Sequence, residues 1–164
     1  MNQKEIKNHM NATNIEELCN EDSILANIFG KSKKLKVLLT GDNRYNESGN
    51  YKYGKFKLNK KEIEVLKWLL KNVNIDDYKK QILEYCSNGY FEYSDKKINL
   101  EDITNEVNIN TIVINVTKKW KAKDGTIYPE IAFLGDCKCD EEHGICIGFR
   151  DEKYIGIKSQ DCIL

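Results

Sequence analysis

From Thr111 onward the chain repeats with a period of two, and that alternation constrains its fold more than any other feature. In TIVINVTKKW, Ile112, Ile114 and Val116 fall on one face of an extended segment. Asp124-Gly125 then signals a hairpin, because the glycine tolerates the positive φ that a tight reversal needs. EIAFLGDCKC, ICIGFR and KYIGI read as further strands, with Asp151-Glu152 at the last reversal. Strands joined by such short turns pair antiparallel, so the last third is expected to be an antiparallel β-meander.

The middle of the chain follows a helical period instead. In NKKEIEVLKWLLKN, Asn59 to Asn72, Asn59 can cap the helix and Glu62 can complete a capping box. Ile63, Leu66, Leu70 and Val73 share a face that Val65 and Leu69 broaden and Trp68 flanks. A second helix begins at the capping residue Asn74, with Asp76 and Asp77 in its first turn, and is expected to end at Ser87-Asn88-Gly89. Its inner face is Ile75, Tyr78, Ile82 and Tyr85.

Upstream, LKVLLTG (Leu35 to Gly41) reads as a short buried strand and YKYGKFKL (Tyr51 to Leu58) as an alternating one. The turn-rich GDNRYNESGN between them reads as a loop, and residues 1–20 as a poorly packed extension. The expected fold class is therefore α+β: N-terminal strands, two central helices and a C-terminal antiparallel β-meander, in a single domain over residues 1–164.

Charge narrows the function. Lys plus Arg and Asp plus Glu number 26 each, which argues against a nucleic-acid partner. The lysine runs Lys31–Lys36 and Lys118–Lys123 read as solvated strand positions. The first 18 residues lack a signal-peptide apolar core, and no apolar run reaches a membrane span, so a cytoplasmic protein without a membrane partner is expected. Cysteines in that compartment are thiols.

GDCKCDEEHGICIGF, from Gly135 to Phe149, concentrates the chemistry. Cys137, Cys139, His143 and Cys146 are all legitimate zinc ligands. Matching the apolar faces of the two strands puts Cys139 opposite Ile145, across the loop Asp140–Gly144, and turns Cys146 away from Cys137 and Cys139. On that register no metal or other cofactor is expected, and Cys137 and Cys139 are small buried hydrophobes. Asp140, Glu142, His143 and Gly144 form a structural turn, with Asp140 accepting backbone N–H groups and Gly144 supplying a positive φ. No phosphate-binding glycine loop, Gly-x-Ser-x-Gly elbow or His-Glu-x-x-His helix is present, and no catalytic residue is assigned. The alternative is a metal-dependent or Cys/His enzyme built on the Cys137–Cys146 hairpin.

Asp140-x-Glu142-His143-Gly144-Ile145, followed by Ile147 and Phe149, resembles the C-terminal signature of a bacterial family of uncharacterised domains. In that family an acidic His-Gly turn joins two late strands, after a helical section ending near a Tyr-rich segment, here Tyr85, Tyr90 and Tyr93. The resemblance covers residues 55–164 and departs at Cys139, where a tryptophan is common. Similarity of some members to genes beside contact-dependent toxins implies an immunity function: a non-catalytic protein that occludes a cognate toxin domain. Arg44 and Tyr45 in the polar loop, and Trp120 among its lysines, are the expected binding anchors.

Overall fold

The structure is a computed structural model, and it describes residues 22–40, 48, 56–93, 96–116, 121 and 123–163. Within them six strands form one sheet in chain order: β1 (Ser23–Ile28), β2 (Lys31–Leu39), β3 (Val107–Ile114), β4 (Ile131–Cys137), β5 (Ile145–Arg150) and β6 (Lys153–Lys158). Every neighbouring pair is antiparallel except β2 and β3, which run parallel from Lys36↔Thr111 to Leu39↔Ile114. A parallel pair needs a crossover, and the helices supply it: α1 (Lys60–Asn72), α2 (Lys79–Tyr93) and the short α3 (Ile103–Glu106). The class is the α+β arrangement that the two periods imply, with N-terminal strands and a C-terminal antiparallel meander.

Helix α1 begins as its sequence dictates. The Asn59 side chain accepts from the Glu62 N–H at 2.9 Å, and the Glu62 carboxylate accepts from the Asn59 N–H at 2.8 Å. Its buried apolar residues are Val65, Leu66, Leu69 and Leu70, so its apolar face centres between Leu66 and Leu69, with Ile63 and Val73 at the margins. Trp68 meets Phe149 edge-on at 5.9 Å, and Tyr78 and Tyr154 pack edge-on to the same ring at 5.7 and 6.0 Å. Phe149 is fully buried at this junction of helices and sheet, a placement worth roughly 1.5–3 kcal/mol for such a side chain.

Two expectations need correcting. Helix α2, which follows a 3-10 turn at Ile75–Tyr78, does not end at Ser87-Asn88-Gly89 but runs through it to Tyr93. Gly89 serves close approach rather than termination: a Cβ there would lie 3.1 Å from the Cys139 sulfur. The β4–β5 register also differs. Gly135, not Cys139, lies opposite Ile145, with Phe133↔Ile147 and Ile131↔Phe149. The strands keep the expected parity, so the apolar faces still match, but β4 stops at Cys137 and a wider loop follows. Its backbone goes elsewhere: the Lys138 N–H bonds the Glu106 carbonyl at 3.0 Å, and the Asp140 N–H bonds the Cys137 carbonyl at 3.1 Å.

Other expectations fall partly outside the described residues. These include the N-terminal extension, the 41–50 loop apart from Ser48, and Tyr51 to Lys55 of the proposed alternating strand. Phe56 to Asn59 are irregular, and Phe56 and Leu58 are buried. The reversal into β6 is tight, with Asp151 and Glu152 both at positive φ, 50° and 60°, as a two-residue hairpin turn demands. At Gly125 φ is 90°, and the Asp124 carboxylate accepts from the Thr126 N–H at 2.9 Å.

Candidate functional site

Alternation along β4 places Ile131, Phe133 and Cys137 on the face covered by the helices. Helical spacing along α2 places Ile82, Cys86 and Tyr90 on its buried side. The two elements meet at their cysteines. The Cys86 and Cys137 sulfurs are 3.5 Å apart, and with Cys139 they form a buried cluster whose ligand atoms all lie within 4.8 Å of one another.

Burial raises the cost of ionising any one of these thiols, but their mutual hydrogen bonds divide the cost unequally. Cys137 is drawn well below an ordinary thiol by S–H donation from Cys139 and Cys86, helped by the backbone N–H groups of Cys139 and Asp140. Cys86 and Cys139 are pushed up, first because each holds its proton in a bond to Cys137.

The loop beside the cluster is tied down on several sides. Asp140 accepts the His143 N–H at 3.1 Å and contacts the ring Nδ1 at 3.0 Å, and the Gly144 N–H bonds the Asp140 carbonyl at 2.9 Å. Tyr85 donates its hydroxyl proton to the Gly144 carbonyl at 2.8 Å, and burial followed by the nearby Asp140 charge raises its pKa. Gly144 has φ 61°, and Glu142 is exposed. The bond to Asp140 raises the His143 pKa.

Cys146 lies on the other face of the sheet among Val113, Ala132, Leu134 and Ile163, its sulfur 3.2 Å from that of Cys162. The hairpin quartet Cys137, Cys139, His143 and Cys146 is thus not one site. Arg44, Tyr45 and Trp120 lie outside the described residues. Sequence reasoning missed Cys86, which is 51 residues from Cys137. The available signal was its position four residues after Ile82, with the space-making Gly89 three residues further on.

A second polar feature adjoins the first. A groove of ≈ 360 Å³ opens at the α3–β3–β4 corner, where its lining includes Asn105, Glu106, Asn108, Asp136, Lys138 and Glu141. Glu106 is buried, and its carboxylate accepts from the Tyr90 hydroxyl and, at 2.9 Å, from Lys96. Burial, followed by the bond to Glu106, pushes Tyr90 up to about 12.

These elements define a mixed α+β domain with a buried three-thiol cluster and a carboxylate-lined groove. The family model for a domain of unknown function, DUF6985, matches residues 6–164, and the chain belongs to that family. The match is wider than residues 55–164, on which the resemblance in the sequence rested. No curated protein and no solved structure matches the chain. Among the described residues, no helix is long and apolar enough to cross a membrane.

Proposed function

We propose that the protein is a cytoplasmic bacterial binding protein that does no chemistry of its own, and that it acts as an immunity protein by occluding a cognate toxin domain. The observation that carries the binding reading is the groove at the α3–β3–β4 corner, whose lining includes the exposed side chains of Asp136, Lys138 and Glu141. Two exposed carboxylates, Asp136 and Glu141, against the one ammonium of Lys138 favour a partner that presents lysine or arginine, and amides at Asn105 and Asn108 add directional hydrogen bonding. The immunity assignment rests on the resemblance of the acidic His-Gly turn, residues Asp140 to Ile145.

Co-expression with a toxin domain encoded beside the gene tests both parts. Protection from growth arrest, with a stable complex between the purified proteins, is the expected result. Asp136→Lys with Glu141→Lys should weaken the complex strongly while leaving the circular dichroism spectrum unchanged. Failure to protect against or bind any neighbouring toxin would overturn the immunity reading. Protection that survives the double reversal would remove the groove from it.

A further inference from the structure

We propose that Cys86, Cys137 and Cys139 form a binding site for a thiophilic d10 cation, zinc(II) or copper(I). The sulfurs come from separate elements, one from the inner side of α2 and two from the end of β4 and its turn, yet their ligand atoms lie within 4.8 Å of one another. A single ion bonded to all three requires such convergence, since each zinc–thiolate bond is about 2.3 Å long. All three residues are buried, at 0 %, 1 % and 6 % exposure, so an ion would be shielded from competing water and oxygen ligands.

The surroundings are shaped for sulfur. Gly89 leaves the space that the Cys139 sulfur occupies; any larger residue on that helical position would press on the ligand. The turn carrying Cys139 is held by Tyr85 through Gly144 and by the Glu106 carbonyl through Lys138, so its position is fixed from two helices.

Soft thiolates select zinc and copper(I) over magnesium or calcium. Three thiolates complete a trigonal copper(I) site, whereas tetrahedral zinc would need a fourth ligand. The site is independent of the toxin-binding reading. It also differs from the hairpin quartet, because Cys86 replaces Cys146 and His143 is not a ligand.

The test uses the reduced full chain under anaerobic conditions, titrated with cobalt(II) as a zinc probe and separately with chelator-buffered copper(I). About one equivalent should bind, with release of thiol protons and a higher unfolding midpoint. Intense near-ultraviolet thiolate-to-cobalt bands, bleached by zinc, would establish a zinc site. Tight copper(I) uptake without those bands would establish the trigonal copper site. Cys86→Ser should weaken binding at least tenfold, and Cys146→Ser, on the opposite face, should leave it unchanged. No uptake of either ion, uptake without thiolate bands for cobalt and without tight copper(I) binding, or uptake indifferent to Cys86→Ser would overturn the proposal. The wild-type spectrum decides the cobalt arm even if Cys86→Ser does not fold.

Discussion

Gly89 and Cys139 meet where helix α2 crosses the loop after β4: a Cβ built on Gly89 would sit 3.1 Å from the Cys139 sulfur and 3.2 Å from its Cβ. The helix thus approaches the sheet at a point where only hydrogen fits without displacement. Glycine in a helix interior costs about 1 kcal/mol relative to alanine, so its presence here trades propensity for proximity. Gly89→Ala should be close to neutral, since the regained propensity offsets a contact that is only a few tenths of an ångström too short. Gly89→Val should destabilise by about 1–3 kcal/mol, because a branched side chain cannot be absorbed by so small a shift. Urea unfolding of the two variants measures the difference.

Gly144 is constrained more severely. Its φ is 61°, and an added Cβ would lie 2.5 Å from the Gly135 carbonyl oxygen, a backbone atom that cannot swing aside. Gly144→Ala should therefore cost more than the roughly 1–3 kcal/mol of a strained backbone alone. Tyr85→Phe, which removes only the hydroxyl bond to the Gly144 carbonyl, should cost about 0.5–1.5 kcal/mol. Thermal unfolding should rank the two in that order, and the reverse order would mean that the loop is held by its tyrosine rather than by its glycine.

The C-terminal strands and helix α1 were legible because their signals are local. Alternation from Ile112 to Phe149, the Asn59–Glu62 capping box and the Asp151-Glu152 reversal each need only neighbours in sequence. Tertiary choices were not legible. Gly89 carries the same local signature whether it ends a helix or admits a sulfur, and only the position of Cys139 distinguishes them. Parity fixed which face of β4 meets which face of β5, but not how far along, because every even shift preserves the apolar match. The pairing of Lys138 with Glu106, far upstream, accompanies the early end of β4. Cys86 joined the cluster through the same long-range packing, which a reading confined to one hairpin could not reach.

Glu106 is a buried carboxylate whose two oxygens have different partners, Tyr90 on one and Lys96 on the other. Tyr90→Phe leaves one oxygen without its donor in a dry setting, and a hydrogen bond to a charged group contributes about 1.5–3 kcal/mol. Lys96 is half exposed, and its ion pair is partly screened by solvent, so Lys96→Ala should cost less than Tyr90→Phe. Chemical unfolding of both variants at neutral pH checks the ranking. An equal or larger loss for Lys96→Ala would show that the charge, not the buried phenol, secures Glu106.

The Asp140–His143 contact gives the turn a pH dependence whose sign follows from its geometry. His143 Nδ1 lies 3.0 Å from the Asp140 carboxylate, and that bond raises the folded-state pKa above its unfolded value of about 6.5. The folded chain therefore holds the imidazole proton more tightly than the unfolded chain does. Its contribution to stability is fully present below about pH 6.5 and fades as the pH rises through the folded value. The ring lies at the surface, so the slope should be shallow. An NMR titration of His143 should give a midpoint above 6.5, and Asp140→Asn should lower it and flatten the stability slope in that window. A midpoint at or below the unfolded value in the wild type would mean that Asp140 spends its charge on the His143 backbone N–H, which it also accepts at 3.1 Å, and not on the ring.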